Sequence, residues 1–167
     1  SIRGRWGGMR LASEGGAAAR LQQAVAAVED TPVPVVLWCL YGTSGRLRVQ
    51  IRDAASGNVS RVRGPAGALG VTETAAGPIA ALEARSESDG VTRVAFRVTP
   101  NFSGTLQIGI GPDSGVAGED LVLLAVQTAA GSYVPTTTAA AARPADSIGL
   151  TGLAAGAYDL TLTYDDG

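Results

Sequence analysis

The chain has 167 residues and a formal net charge of −2, and hydrophobic residues make up 46% of it. This length and apolar content suit one folded domain with a real core, and the acidic balance argues against nucleic acid as a partner of the whole domain. The chain contains no His and no Lys, so all 13 basic residues are Arg. Histidine acid–base catalysis, histidine zinc sites and lysine Schiff-base chemistry are therefore excluded.

The residues that remain point to no enzyme, no metal and no cofactor. Glycoside hydrolysis needs two carboxylates at a set separation, and no such pair stands out in the sequence. Asp113, Glu119 and Asp120 flank a Gly-rich loop, but their spacing matches no EF-hand, so we interpret them as turn acids. No apolar run approaches the ~20 residues that span a bilayer, and no apolar signal segment follows the N-terminus, which predicts neither membrane insertion nor a signal peptide.

The first patterned segment, residues 17–30, supports two interpretations. Its Ala-rich composition favours a helix, and Leu21, Val25 and Val28 match the spacing of one helix face. However, Leu21, Gln23 and Val25 also alternate as in an edge strand. The pattern within this segment leaves the choice open.

Residues 33–40, VPVVLWCL, are apolar at every position. Such a run predicts a central strand that is covered on both faces. Within it we expect Trp38 to pack in the core. Cys39 is the only Cys of the chain, and we expect it to be buried and unpaired.

Residues 46–53, RLRVQIRD, have the clearest strand pattern of the chain. Leu47, Val49 and Ile51 alternate with polar residues, which predicts a half-buried strand with one core face. A shorter strand is expected at 58–63. The outward positions of these two strands and of an alternating strand at 91–99 carry seven Arg residues: Arg46, Arg48, Arg52, Arg61, Arg63, Arg93 and Arg97.

Residues 78–87 fit either a short helix or a strand, while three later segments, 105–110, 121–127 and 157–164, have strand patterns. The chain thus shows about eight short strands with turn signals between them and no alternation of strands with helices. This pattern predicts an antiparallel two-sheet sandwich of jelly-roll or Ig-like topology.

A distinctive motif follows the buried strand that ends at Gln127: residues 132–136 are SYVPT and residues 143–146 are RPAD. It resembles a segment of tailed-phage structural proteins in which a jelly-roll, carbohydrate-binding-like module ends in Gln-x-Glu before a Ser-Tyr-Ile/Val-Pro-Thr run and an Arg-x-Ala-Asp signature. The resemblance covers roughly residues 18–148. Ala129 stands where the family has the Glu, and a Gly-Val-Thr run replaces an aromatic pair of its later hairpin.

The resemblance implies an all-β fold, an antiparallel two-sheet sandwich of the jelly-roll type with a short C-terminal β extension. It implies a jelly-roll domain at residues 1–130, an extended connecting strap at 131–146 and a short C-terminal β segment at 147–167, which we expect to start a further module. In this organisation LQQAV at 21–25 is a strand, which resolves the ambiguity of the first segment.

The resemblance also implies a function. The chain would be a module of a phage or phage-like particle surface protein, a tail fibre or a head or tail spike, that binds bacterial surface polysaccharide for host attachment. Expected partners are bacterial surface or capsular polysaccharide, other copies of the chain in a homotrimer, and other virion proteins. The protein would be made in the bacterial cytoplasm and carried on the particle surface. The alternative is a purely structural decoration or oligomer-forming module that binds no glycan.

Two kinds of side chain are candidates for glycan contact. A guanidinium group can donate two parallel hydrogen bonds to one carboxylate of an acidic glycan. Aromatic rings near turns offer surfaces on which sugar rings stack. If the Arg-bearing strands are neighbours, they form one guanidinium-rich sheet face. The alternative is a solvated surface balanced by acids such as Glu83 and Glu87. The candidate glycan-binding residues are Arg46, Arg48, Arg52, Arg93, Arg97, Tyr41 and Trp6.

Overall fold

The computed structural model describes residues 8–15 and 21–128. These residues form ten β-strands and a short 3-10 helix at Ser88–Gly90. The strands are β1 Met9–Ala12, β2 Leu21–Ala27, β3 Val33–Leu40, β4 Arg46–Asp53, β5 Val59–Pro65, β6 Gly70–Thr74, β7 Ile79–Ser86, β8 Thr92–Val98, β9 Gly104–Pro112 and β10 Asp120–Gln127.

The strands form two five-stranded antiparallel sheets that share one core. Sheet A has the strand order β1-β10-β3-β8-β7, and sheet B has the order β2-β9-β4-β5-β6. Four antiparallel pairs are nested in the sequence, so that each pair encloses the next: β1·β10, β2·β9, β3·β8 and β4·β5. The chain therefore has the connectivity of one long antiparallel hairpin folded around the core. This nesting is the jelly-roll topology. The predicted all-β, jelly-roll sandwich is therefore confirmed, and the Ig-like alternative is excluded.

The core lies between the sheets and is built from alternate residues of the central strands. Leu47, Val49 and Ile51 of β4 are fully buried, as their alternation predicts. Leu106, Ile108 and Ile110 of β9 and Val94, Phe96 and Val98 of β8 follow the same alternation, and all six belong to the core. Cys39 is fully buried and has no disulfide partner, which confirms its expected role.

The two ambiguous segments are both strands. The segment 17–30 contains β2, and the segment 78–87 contains β7, each at the edge of its sheet. Pairing with a neighbouring strand thus overrides the helix propensity of Ala, which is a weak preference. Strands β1 and β6 were not predicted, because both are short edge strands and β6 has almost no buried residues to give it a pattern.

Trp38 corrects one expectation. The pleat of β3 turns Val35, Leu37 and Cys39 into the core and Trp38 to the outer surface of sheet A, where it is half-buried. The guanidinium of Arg93 on the neighbouring β8 lies 5.9 Å from the centre of the Trp38 ring. The prediction of a core role for Trp38 was wrong, because apolar character on both faces of a central strand does not say which face meets the core.

Several expectations lie outside the described residues. These are the role of Trp6, the strap at 131–146 and the C-terminal segment at 147–167. Within 8–15 and 21–128 the fold offers no helix of the length and apolarity needed to cross a bilayer.

Candidate functional site: an arginine-rich sheet face

Strands β4 and β5 bring five arginines together on the outer surface of sheet B. The two strands are antiparallel neighbours, and Arg48 lies directly opposite Arg63 while Gln50 lies opposite Arg61. Residues directly opposite on paired strands share one face of the sheet. We call this surface the arginine face, and its arginines are Arg46, Arg48, Arg52, Arg61 and Arg63.

The other two candidate arginines lie elsewhere. Arg93 and Arg97 are outward residues of β8, which belongs to sheet A. The outer surfaces of the two sheets of a sandwich point in opposite directions. The predicted guanidinium-rich face therefore divides into two groups on opposite sides of the domain, because β4 and β8 are not neighbours.

A buried carboxylate holds part of the arginine face in place. Asp113 follows β9, and its side chain is only 4% exposed. Its Oδ2 accepts hydrogen bonds from Nε and Nη2 of Arg46 at 3.2 and 3.1 Å, and from Nε of Arg63 at 3.2 Å. Nη2 of Arg63 lies 3.1 Å from Oδ1 of Asp113. One carboxylate thus fixes two guanidiniums, while each Arg side chain stays about 43–44% exposed.

The register of the sheet explains why Asp113 reaches this position. Strand β9 pairs with β4, and the backbone N–H of Asp113 donates to the Arg46 carbonyl at 3.2 Å. Asp113 was interpreted from sequence as a turn acid. Its role as an anchor gives no local sequence signal, because Arg46 and Arg63 lie 67 and 50 residues away in the chain.

The remaining arginines of this face differ in their partners. Nη2 of Arg48 donates to Oε1 of Gln50 at 3.3 Å, and Arg61 forms an ion pair with Glu73 of β6. Arg52 is exposed and has no ion-pair partner among the described residues. Among the described residues, Arg46, Arg61 and Arg63 thus pair with two carboxylates, those of Asp113 and Glu73.

The arginines of sheet A have a different setting. Arg93 covers the Trp38 ring and lies 3.7 Å from a carboxylate oxygen of Glu83, which also pairs with Arg85 at 2.5 Å. Arg97 is exposed and, within the described part of the chain, has no ion-pair partner.

Tyr41, the aromatic candidate among the described residues, is half-buried just after the end of β3. Its ring packs against the core, and its buried hydroxyl has no hydrogen-bond partner among the described residues. Burial raises the pKa of Tyr41 to about 12, and the neighbouring Cys39 adds to the shift. The role of Tyr41 as a sugar platform stays a prediction, for a ring that is partly buried against the core.

The acidic side chains Glu119 and Asp120, at the end of the loop between β9 and β10, accept hydrogen bonds from other residues of the domain. Oδ1 of Asp120 accepts hydrogen bonds from the backbone N–H and the hydroxyl of Thr43 at 2.8 and 2.9 Å, and its Oδ2 accepts one from Arg10. These contacts, with the backbone bond from Thr43 first, lower the pKa of Asp120 to about 2. Glu119 accepts from Ser114. In the described part of the chain no group of three or more potential ligands could hold a metal ion.

The chain was compared with protein-family models and with curated proteins. No family model and no curated protein matches it. Its function is therefore inferred from the arginine face together with the motif that follows Gln127.

Proposed function

We propose that this chain is a module of a phage or phage-like particle surface protein, a tail fibre or a head or tail spike, that binds an acidic bacterial surface polysaccharide for host attachment. The arginine face is the observation that carries the proposal. It gathers five guanidiniums on the outer surface of one sheet, in a chain whose net charge is −2. The resemblance of residues 127–146 to phage structural proteins supplies the biological setting.

The geometry of a sheet suits a repeating anionic polymer. Outward residues two apart on one strand are separated by roughly 7 Å, and neighbouring strands by about 4.8 Å, so the guanidiniums form a regular grid. Each planar guanidinium has N–H groups that can donate paired hydrogen bonds to one carboxylate, and it stays charged at any physiological pH. Asp113 orients the guanidiniums of Arg46 and Arg63 before a ligand binds. This reduces the loss of side-chain conformational entropy on binding.

A purely structural module is the second candidate, and one observation favours it. Arg46 and Arg63 share Asp113, and Arg61 pairs with Glu73, so much of the positive charge already has an acidic partner. Such pairs occur on many solvated surfaces and contribute little by themselves. Binding measurements separate the two candidates.

The test compares acidic and neutral polysaccharides. The chain should bind alginate, hyaluronan or polygalacturonate and not dextran, and the binding should weaken steeply with added salt because exposed charges are screened over ~8 Å at physiological ionic strength. Lack of binding to all three acidic polymers, or equal binding to dextran, would favour the structural module.

A matched pair of variants locates the surface. Arg52 and Arg97 are both exposed and outward, but they lie on opposite sheets. Arg52→Ala should weaken binding by roughly two- to fivefold, the effect of an exposed charge contact of ~0.5–1 kcal/mol, whereas Arg97→Ala should leave it unchanged. The reverse result would move the site to sheet A.

A further inference from the structure

The four edge strands of the sandwich differ in how they are protected against pairing with another chain. Short length, charge, proline and bulges are the usual devices. Strand β1 has four residues and includes Arg10, and β6 has five residues and includes Glu73. Strand β7 carries Glu83 and Arg85 and has an irregular register between Ala80 and Glu83.

The chain also passes directly between the two edge strands on the side of the sandwich that contains β6 and β7. Residues 75–78 cross from sheet B to sheet A, and Ala76 and Gly77 in this crossing are buried. The Ser60 hydroxyl donates to the Gly77 carbonyl at 2.6 Å and accepts from the Ala76 N–H at 3.1 Å. These bonds fix the connection between the end of β6 and the start of β7.

Strand β2 has none of these protections. Its seven residues, LQQAVAA, contain no charge and no proline, and they pair with β9 in an unbroken register from Leu21 to Ala27. Alternate backbone N–H and C=O groups of such a strand point away from its neighbour. Leu21 and Val25 face the core but are only half-buried, and Val28, just beyond the strand, is 61% exposed.

We propose that β2 is an interaction surface for a second copy of this chain, whose β2 pairs with it antiparallel about a two-fold axis at Ala24. In this register Leu21 lies opposite Ala27 and Gln23 lies opposite Val25, so the long Leu21 side chain faces a small one and no charged groups meet. A strand without charge pairs with itself without repulsion, which a strand bearing Arg or Glu does not. This self-complementarity favours a second copy over a partner of different sequence.

The pairing has a consequence for the arginine face. Antiparallel addition at an edge keeps the outer surfaces of both sheets on the same side. Two copies thus present a ten-stranded sheet with two arginine faces in one plane. If that face binds a polymer, the second copy acts at high effective concentration. The pairing itself does not depend on the proposed function. It predicts a dimer, whereas the resemblance led to the expectation of a trimer.

Light scattering of the full 167-residue chain across the micromolar range tests the pairing. The mass should equal two chains at high concentration and approach one chain on dilution. Ala24→Lys should give one chain at every concentration, because it places two ammonium groups opposite each other at the axis. Thr72→Lys, at the exposed outer edge of β6, should leave the dimer intact. A wild-type monomer throughout, or an oligomer that Ala24→Lys does not change, would overturn the proposal.

Hydrogen exchange offers a second measurement without any substitution. Amides of β2 that point away from β9 should exchange more slowly as the protein concentration rises, while the amides of β6 should not change. Exchange of β2 that is independent of concentration would also overturn the pairing.

Discussion

Asp113 is the side chain on which the shape of the arginine face depends most directly. It is almost fully buried and accepts hydrogen bonds from both Arg46 and Arg63. Asp113→Ala removes the acceptor of these charged hydrogen bonds and should lower the free energy of unfolding by about 1–3 kcal/mol. Urea denaturation measures this change.

The matched control is Glu73→Ala. Glu73 also pairs with an arginine of this face, but its side chain is 44% exposed. An exposed pair contributes about 1 kcal/mol or less, so this variant should be nearly as stable as the wild type. Equal losses for the two variants would show that Asp113 is no more than an ordinary surface acid.

Asp120 should make the stability of the fold depend on acid. Its hydrogen bonds from Thr43 and Arg10 lower its pKa in the folded chain to about 2, whereas an unfolded Asp titrates near pH ~3.9. The unfolded state therefore takes up the proton first as the pH falls. The stabilisation is complete above about pH 5 and is lost between ~4 and ~2.

The measurement is the melting temperature of the wild type and of Asp120→Asn between pH 6 and pH 2. The wild type should melt higher at pH 6, and the difference should shrink as the pH falls. Asp53, whose pKa is lowered by hydrogen bonds from Ser56 and Ala55, adds to the acid dependence in both proteins. A difference that stays constant with pH would contradict the role of Asp120.

At the scale of the strands, the sequence predicts those elements that bury one face in full. The alternation of β4 and β8 is explicit in the sequence, and both strands lie where it predicts. The edge strands were ambiguous or missed, because backbone pairing holds them and few of their side chains are fully buried. For β2 the resemblance to phage modules, and not the pattern of its residues, indicated a strand.

The crossing between β6 and β7 depends on a glycine. Gly77 has a φ of 121°, and a Cβ at this position would overlap the carbonyl of Thr99. Gly77→Ala should therefore lower the free energy of unfolding by about 2–4 kcal/mol, since strain and a steric clash add.

Gly67 provides the control for this substitution. It also has a positive φ, 81°, but apart from its chain neighbours no described residue has an atom within 4 Å of a Cβ placed there. Gly67→Ala should cost about 1–2 kcal/mol, the backbone strain alone. Thermal or urea unfolding of both variants tests the prediction, and a loss at Gly77 no larger than that at Gly67 would contradict the close approach to Thr99.

At the scale of the whole molecule, the candidate site could be predicted only in part. The alternation of apolar and polar residues within each strand predicts which Arg side chains face outward, and the structure confirms this for β4 and β8. It could not tell which strands are neighbours, so Arg93 and Arg97 were grouped with the arginines of β4. Strand order depends on contacts distant in sequence, and the anchoring of Arg46 and Arg63 by Asp113 depends on them too.

The central claim is that an acidic glycan binds the arginine face and not the opposite side of the sandwich. The most direct measurement follows the Nε–Hε signals of the arginines by NMR while an acidic oligosaccharide such as oligogalacturonate is added. The signals of Arg46, Arg48, Arg52, Arg61 and Arg63 should shift together and saturably, and those of Arg93 and Arg97 should stay in place. Shifts centred on Arg93 and Arg97, or no shift at any arginine, would contradict the account.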